Sequence, residues 1–198
     1  MGPQDSVTRD LMFDAAENIL QNKGYQALTA RRVAEIAGFN HQTVYYYFAS
    51  MDDLVIGAFR RRATASLERL KDCLASDRSL HRMAELIADQ GNARLSLEFA
   101  AMAPRIEGLA TVVREFLDKS RDIEVAVLSK AFDNNAGIDK PLTPELVAML
   151  MLAVSQFLAR EAALGFDRGH ATLEEFFRGY LKHYEPGEEL DLRKHALD

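Results

Sequence analysis

Hydrophobic residues recur along this chain three and four positions apart, and almost no stretch alternates every second residue, so the pattern predicts helix after helix and an all-α fold. The first helix is expected over about 8–22, where Met12, Ala16, Ile19 and Leu20 share one face and Gly24 supplies the stop. Short elements follow. Thr29 is placed to cap a helix over about 30–37 and Asn40 one over about 41–47. Ser50, with Asp53 three residues on, is placed to cap another that runs to about Ala75. Further helices are expected over about 79–102, 104–133 with a break near Gly108, 144–164 and 172–184. Thr143 followed by Pro144 puts a cap before a proline at the first helical position, and Thr172 with Glu175 reads as a capping box. The tail from Glu185, through Pro186 and Gly187, is expected to be loosely ordered.

Composition narrows the class. With 198 residues, 48% of them apolar, the chain can close a core without disulfides or metals. Its single cysteine, Cys73, has no intrachain partner and reads as a bland cytosolic thiol. The most apolar run, Leu146 to Ala159, is cut short by Gln156, Arg160 and Glu161, well under the roughly 20 residues a bilayer requires. With no charged-then-apolar leader at its start, the chain is expected to be cytoplasmic. The net charge of −6 argues against nucleic acid until the chain is divided. Residues 1–62 carry seven basic and seven acidic side chains and are neutral, so the whole excess of acid lies beyond them and need not repel a duplex from the N-terminal part.

The informative segment is TARRVAEIAGFNHQTVYYYFA, from Thr29 to Ala49. A helix-turn-helix needs a small residue midway along its first helix, where the second crosses closely. It also needs a glycine in the turn and an apolar residue on the inner face of the second helix. Ala34, Gly38 and Val44 meet these needs at spacings of four and six, and Val33, Ala37 and Phe48 complete the inward face.

On these residues the chain resembles the tetracycline-repressor (TetR) family. The likeness runs through Met12 to Ala16, Leu20 with Gly24-Tyr25, Thr29 with Val33-Ala34, Ala37-Gly38, Thr43-Val44-Tyr45, Phe48 and Ser50 to Leu54. It covers about residues 8–62 closely; beyond them the chain matches only as a helical domain of the usual length. It implies a DNA-binding domain over residues 1–50 and a ligand-binding and dimerisation domain over 51–198, in a homodimer that represses from a palindromic operator until a small molecule releases it. Asn40, His41, Gln42 and Thr43 then open the recognition helix, where Gln42 can pair with adenine and the Thr43 methyl can touch thymine. Thr29 and Arg31 belong to the same expected DNA set, with a solvated charge as the plainer account of Arg31. Tyr45 and Tyr46 match phosphate-contacting positions, and Tyr47 stands where a histidine is common. Met51 departs from the family, which usually has a phosphate-touching lysine there.

The second half is less explicit. Residues 144–164 are apolar nearly all round, and 172–184 carry a broad aromatic stripe, so both segments need cover on more than one side. Leu146, Leu150 and Val154, with Phe176, Phe177, Tyr180 and Leu181, are the expected dimer contacts. A pocket is expected among the helices over 52–75, 79–102, 104–133 and 144–164. Met83, Ile87, Phe99 and Met102 are apolar candidates for its lining, as are Phe116, Ile123, Val127, Met149 and Phe157, each of which can equally be plain core. Gln90, Asn92, Arg94, Gln156 and Arg160 are polar groups that could orient a ligand. Abundant Met and Phe favour an apolar or aromatic effector. The alternative is a DNA-binding regulator whose C-terminal domain binds a protein partner and no small molecule.

No cofactor is called for. The chain has no phosphate-binding glycine loop, nucleophile elbow or HExxH pair, and His41, His81, His170, His183 and His195 show no metal-ligand or triad spacing, so an enzyme is not expected. The run Asp133 to Gly137 puts its glycine one place early for a calcium loop and Pro144 where the bidentate glutamate belongs, and it reads as a connection.

Overall fold

A computed structural model describes residues 7–133 and 142–185, apart from the Gln90 side chain; residues 134–141, within which most of the Asp133 to Gly137 run falls, and the tail from Pro186 lie outside it. Among the described residues the elements are helices: α1 (Val7–Lys23), a short 3-10 turn (Tyr25–Ala27), α2 (Ala30–Ala37), α3 (His41–Tyr47), α4 (Met51–Ala75), α5 (Ser79–Ala88), α6 (Gln90–Met102), α7 (Leu109–Asp133), α8 (Pro144–Ala162) and α9 (His170–Tyr184). No described helix is long and apolar enough to cross a membrane.

Local chemistry sets most of the boundaries. The Thr29 hydroxyl accepts the Arg32 N–H at 3.3 Å, Asn40 Oδ1 accepts that of Gln42 at 3.0 Å, and Thr143 accepts that of Leu146 at 3.2 Å ahead of Pro144. At the start of α4, Ser50 accepts from the Asp53 N–H while the Asp53 carboxylate reaches back to that of Ala49. Gly38 ends α2 at φ 80, and the Phe39 N–H closes on the Ala34 carbonyl at 2.8 Å, a Schellman closure that a residue with a Cβ would strain.

Three expectations are corrected. The helix expected over 79–102 is two, because Asp89 takes extended backbone and its carboxylate caps α6 through the Asn92 N–H at 2.9 Å. The one expected from 104 begins at Leu109, after turns that end on Gly108 at φ 84. The Thr172–Glu175 capping box is not used. Gly169, at φ 90, starts α9 two residues earlier, and His170 is tied to Glu161 at 3.0 Å, so Thr172 already sits inside the first turn.

Packing gathers the chain into two units, one of residues 1–65 with 95–116, the other of 66–94 with 117–198. In the first unit Met12, Ile19, Val33, Val44, Phe48 and Leu54 form one core with Phe99, Met102 and Leu109. Phe13 and Phe48 lie 5.3 Å apart, and a Cβ on Gly57 would meet the Phe13 ring at 2.8 Å, so the bare backbone of α4 is what admits that ring. The core of the second unit joins Leu70 and Cys73 of α4 to Leu80 and Met83 of α5. Val127, Leu128 and Phe132 of α7, Val147 and Met151 of α8, and Leu181 and Tyr184 of α9 complete it.

Candidate nucleic-acid interface and ligand cavity

α3 is only seven residues long, and its inner and outer faces differ sharply. Val44 and Phe48 are fully buried, which fixes the roll of the helix about its axis. Successive residues point about 100° apart, so this roll turns His41, Gln42, Tyr45 and Tyr46 outward, the two tyrosines 56% exposed. Thr43 is half-buried. Tyr47 is also half-buried, with its ring edge-on to Tyr46 at 5.1 Å and its body against the core. Thr29, Arg31 and Asn40 are exposed. The caps made by Thr29 and Asn40 use an oxygen as acceptor and leave the hydroxyl proton and the amide Nδ2 available as donors. The expected DNA-facing set is thus brought onto the helix-turn-helix surface, with Tyr47 at its edge.

Charge around this surface is sparse. Of the seven cations in residues 1–62, Arg61 is bound to Asp14 at 2.6 Å and Glu17 at 3.0 Å, and Arg62 lies 3.6 Å from Glu17. Arg32 donates to the Ala27 carbonyl at 3.1 Å, and the Arg9 guanidinium stacks 4.8 Å from the Phe48 ring. Lys23, Arg31 and Arg60 are exposed. Met51 is half-buried and packs on the first unit's core.

The expected pocket residues are shared between the two units. Phe99, Met102 and Phe116 belong to the core of the first unit. Met83 and Val127 are buried in that of the second, with Ile123 against it, while Met149 and Phe157 are exposed. Asn92 and Gln156 are half-buried, and Arg94 and Arg160 are exposed. Of the candidates for the pocket, Ile87 alone, among the described residues, borders the cavity of the second unit, a space of about 570 Å³ including its mouth between α5, α8 and α9. Val154, Phe177 and Leu181, expected at the dimer contact, line this cavity. Tyr180 is half-buried against the same core. The remaining expected contacts do stay uncovered: Leu146, Leu150 and Phe176 range from 38% exposed at Leu150 to 63% at Phe176. The other cavity residues went unnoticed in the sequence. Their signal is a pair of alanines, Ala84 and Ala88, four apart beside Ile87, which leave space where larger side chains would close it.

A family model for bacterial regulatory proteins, tetR family, matches residues 13–58, the span of the helix-turn-helix and the first turns of α4. Among curated proteins, the chain is 22% identical to the HTH-type transcriptional repressor AcnR of Corynebacterium diphtheriae, over 98% of this chain and 89% of that one. Among solved structures it is similar in fold to a transcriptional regulator of Saccharomonospora viridis in complex with choline, with a TM-score of 0.74 at 16% identity over 94% of this chain and all of that one. It is also similar to FadR of Bacillus subtilis in complex with stearoyl-CoA, with a TM-score of 0.59 at 18% identity over 79% of this chain and 87% of that one.

Proposed function

This chain belongs to the tetR family of bacterial regulatory proteins, and on that premise we propose that it is a homodimeric repressor released from a palindromic operator by a small apolar or aromatic effector. Residues 1–50 would serve DNA and residues 51–198 ligand and partner subunit. The observation that carries this reading is the roll of α3, which buries Val44 and Phe48 and leaves His41, Gln42, Tyr45 and Tyr46 outward. Gln42 reads a base edge, Thr43 offers a methyl to thymine, and Tyr45, Tyr46, Thr29 and Arg31 hold the sugar-phosphate backbone. Pairing is supported by the uncovered apolar positions on α8 (Leu146, Met149, Leu150, Phe157) and Phe176 on α9, which recur at helical spacing. A two-fold pair presents two recognition helices to successive turns of the major groove.

Release would run through α4. Its first turns border the helix-turn-helix core, and farther along Leu70 and Cys73 share a core with Leu80 and Met83 of α5. A ligand that prefers a different setting of α4 changes the spacing of the paired recognition helices and lowers operator affinity. Fragments of the source genome retained by the purified protein at low salt should share an inverted repeat, and Gln42→Ala should cost about 1–3 kcal/mol on that repeat while sparing unrelated duplex. Failure to retain any duplex would overturn the DNA-binding reading, and equal losses on both DNAs would remove Gln42 from base recognition.

A further inference from the structure

The cavity between α5, α8 and α9 has an apolar wall to which Met151, Leu158, Phe177 and Leu181 contribute, and a hydroxyl is set into it. Ser155 borders the cavity and is itself only 8% exposed. Its hydroxyl donates to the carbonyl of Ile87, in the last turn of α5, where helix carbonyls have no intrahelical partner. Turning that proton toward a ligand would leave a buried carbonyl unpaired, so the proton stays where it is. The hydroxyl oxygen keeps its capacity to accept. Ser155 therefore offers the cavity an acceptor and no donor.

We propose that this cavity takes a compact apolar alcohol or phenol, whose body lies along Met151, Leu158 and Phe177 and whose hydroxyl donates to Ser155 Oγ. The inference deepens the ligand-released reading above and rests on it. A hydrocarbon or an ether would take Oγ out of reach of water and return no hydrogen bond. A ligand hydroxyl returns one, while the rest of the molecule gains from burial against the wall. The match is to Ser155 and does not call on Glu174, which also borders the cavity and has an interaction within the chain.

The occupant is a small molecule and not a second copy of the chain. The lining positions Met151, Val154, Ser155 and Leu158 recur three and four apart on one side of α8, and the uncovered Leu146, Met149, Leu150 and Phe157 recur on another. The side that lines the cavity and the side proposed for pairing are thus different faces of the helix. Across the cavity, Ala88 of α5 brings only a methyl group and so keeps the space open.

The test titrates 2-naphthol and 2-methoxynaphthalene into the full-length protein, followed by probe fluorescence. In parallel, each is added to the complex with a retained, labelled DNA fragment, followed by anisotropy. The probes share a ring system, but the naphthol has a donor and the ether has none. 2-Naphthol should bind the wild-type protein more tightly, although the ether is the more apolar of the two. Ser155→Val, which puts a methyl where the hydroxyl stood, should lower the ratio of the two affinities about fivefold or more by weakening the naphthol. Ser155→Thr should keep that ratio, and Ala88→Leu, which fills the space, should weaken both probes. The proposal is overturned if neither probe binds, if the ether matches or exceeds the naphthol, or if Ser155→Val leaves the ratio intact. Should Ser155→Val fail to fold, the wild-type comparison and Ala88→Leu decide, and undiminished naphthol binding in Ala88→Leu sinks the site. Preferential binding of the naphthol without DNA release would leave the cavity assignment standing and remove the release mechanism. Release by a different compound, with neither probe bound, would do the reverse.

Discussion

Residues 29–48 and the α8–α9 pair are both helical and both striped with apolar side chains, but they separate inside from outside by different means. In the first segment each short helix is closed by its own neighbours, by Thr29, Gly38 and Asn40, and the outward positions, Ile36 of α2 apart, are mostly polar or phenolic. In the second, apolar residues occupy both faces: Met151 and Leu158 of α8 turn inward while Met149 and Phe157 of the same helix are exposed. Chemistry marks the surface of the recognition segment. On α8 it does not, and only packing tells one apolar face from the other. The uncovered face is the one proposed for pairing, and the inward one borders the cavity between α5, α8 and α9.

Truncating one aromatic in each region should give the largest contrast. Phe48 is fully buried against Phe13 and beneath Arg9, so Phe48→Ala should destabilise the protein by about 3–5 kcal/mol in urea unfolding and abolish DNA binding. Phe176, 63% exposed, fills no cavity, and Phe176→Ala should alter the stability of the dissociated chain by less than about 0.5 kcal/mol while raising the dimer dissociation constant in sedimentation equilibrium. A similar stability loss in both variants would mean that α9 hides its ring as thoroughly as α3 hides its own.

The same difference governs what could be read before folding. The ends of α2, α3 and α4 were legible because a cap acts within three or four residues, and Thr29, Gly38, Asn40 and Ser50 each close on a near neighbour. Gly57 was legible only as a glycine inside a helix; its reason, the Phe13 ring, lies 44 positions away in sequence. The cavity was illegible for a similar cause. A methionine or phenylalanine at helical spacing has the same local signature whether it lines a space, packs a core or faces water. Met83, Phe99 and Met149 take different fates because of partners far along the chain. Nor does local periodicity reveal that residues 95–116 complete the core of the first unit. Thr172 failed as a cap for a related reason, since Gly169 and the His170–Glu161 contact had already set where α9 begins.

Charge divides the regions again, with an intermediate expected effect. Near α1 the carboxylates of Asp14 and Glu17 are met by Arg61 with part of their surface in water. Glu124 of α7 is buried, and burial pushes its carboxyl from the ordinary 4.5 to about 7 despite Arg121 at 3.3 Å, which pulls it the other way. The folded protein therefore holds this proton more tightly than the unfolded chain. The associated stability is complete below about pH 4.5 and is lost as pH rises through about 7, a difference on the order of 3 kcal/mol. Glu124→Gln should flatten that segment of the pH profile and raise the melting temperature at pH 8 by several degrees with little change at pH 4. Equal melting temperatures at pH 8 would show that Arg121 offsets the carboxylate in full.

The smallest effect bears on the DNA side of the comparison and concerns Met51. In the resemblance to TetR proteins this position usually holds a lysine at a phosphate. Here it is a thioether, half-buried on the first unit's core in the first turn of α4. Arg9, Arg32, Arg61 and Arg62 are engaged within the protein, so Lys23, Arg31 and Arg60 are the exposed cations of residues 1–62. Each phosphate neutralised releases a condensed counterion and contributes about −0.9 to the slope of log affinity against log salt. With so few cations offered, the slope for the wild-type protein should be shallow. Met51→Lys should steepen it by about one per half-site and tighten binding on every sequence alike. If the lysine reaches a phosphate, the gain is largest at low salt and fades as salt rises. A parallel, unshifted line would mean that the first turn of α4 points its side chain at the core and not at the duplex, and that the polar and phenolic surface of α2 and α3 carries the contact without it.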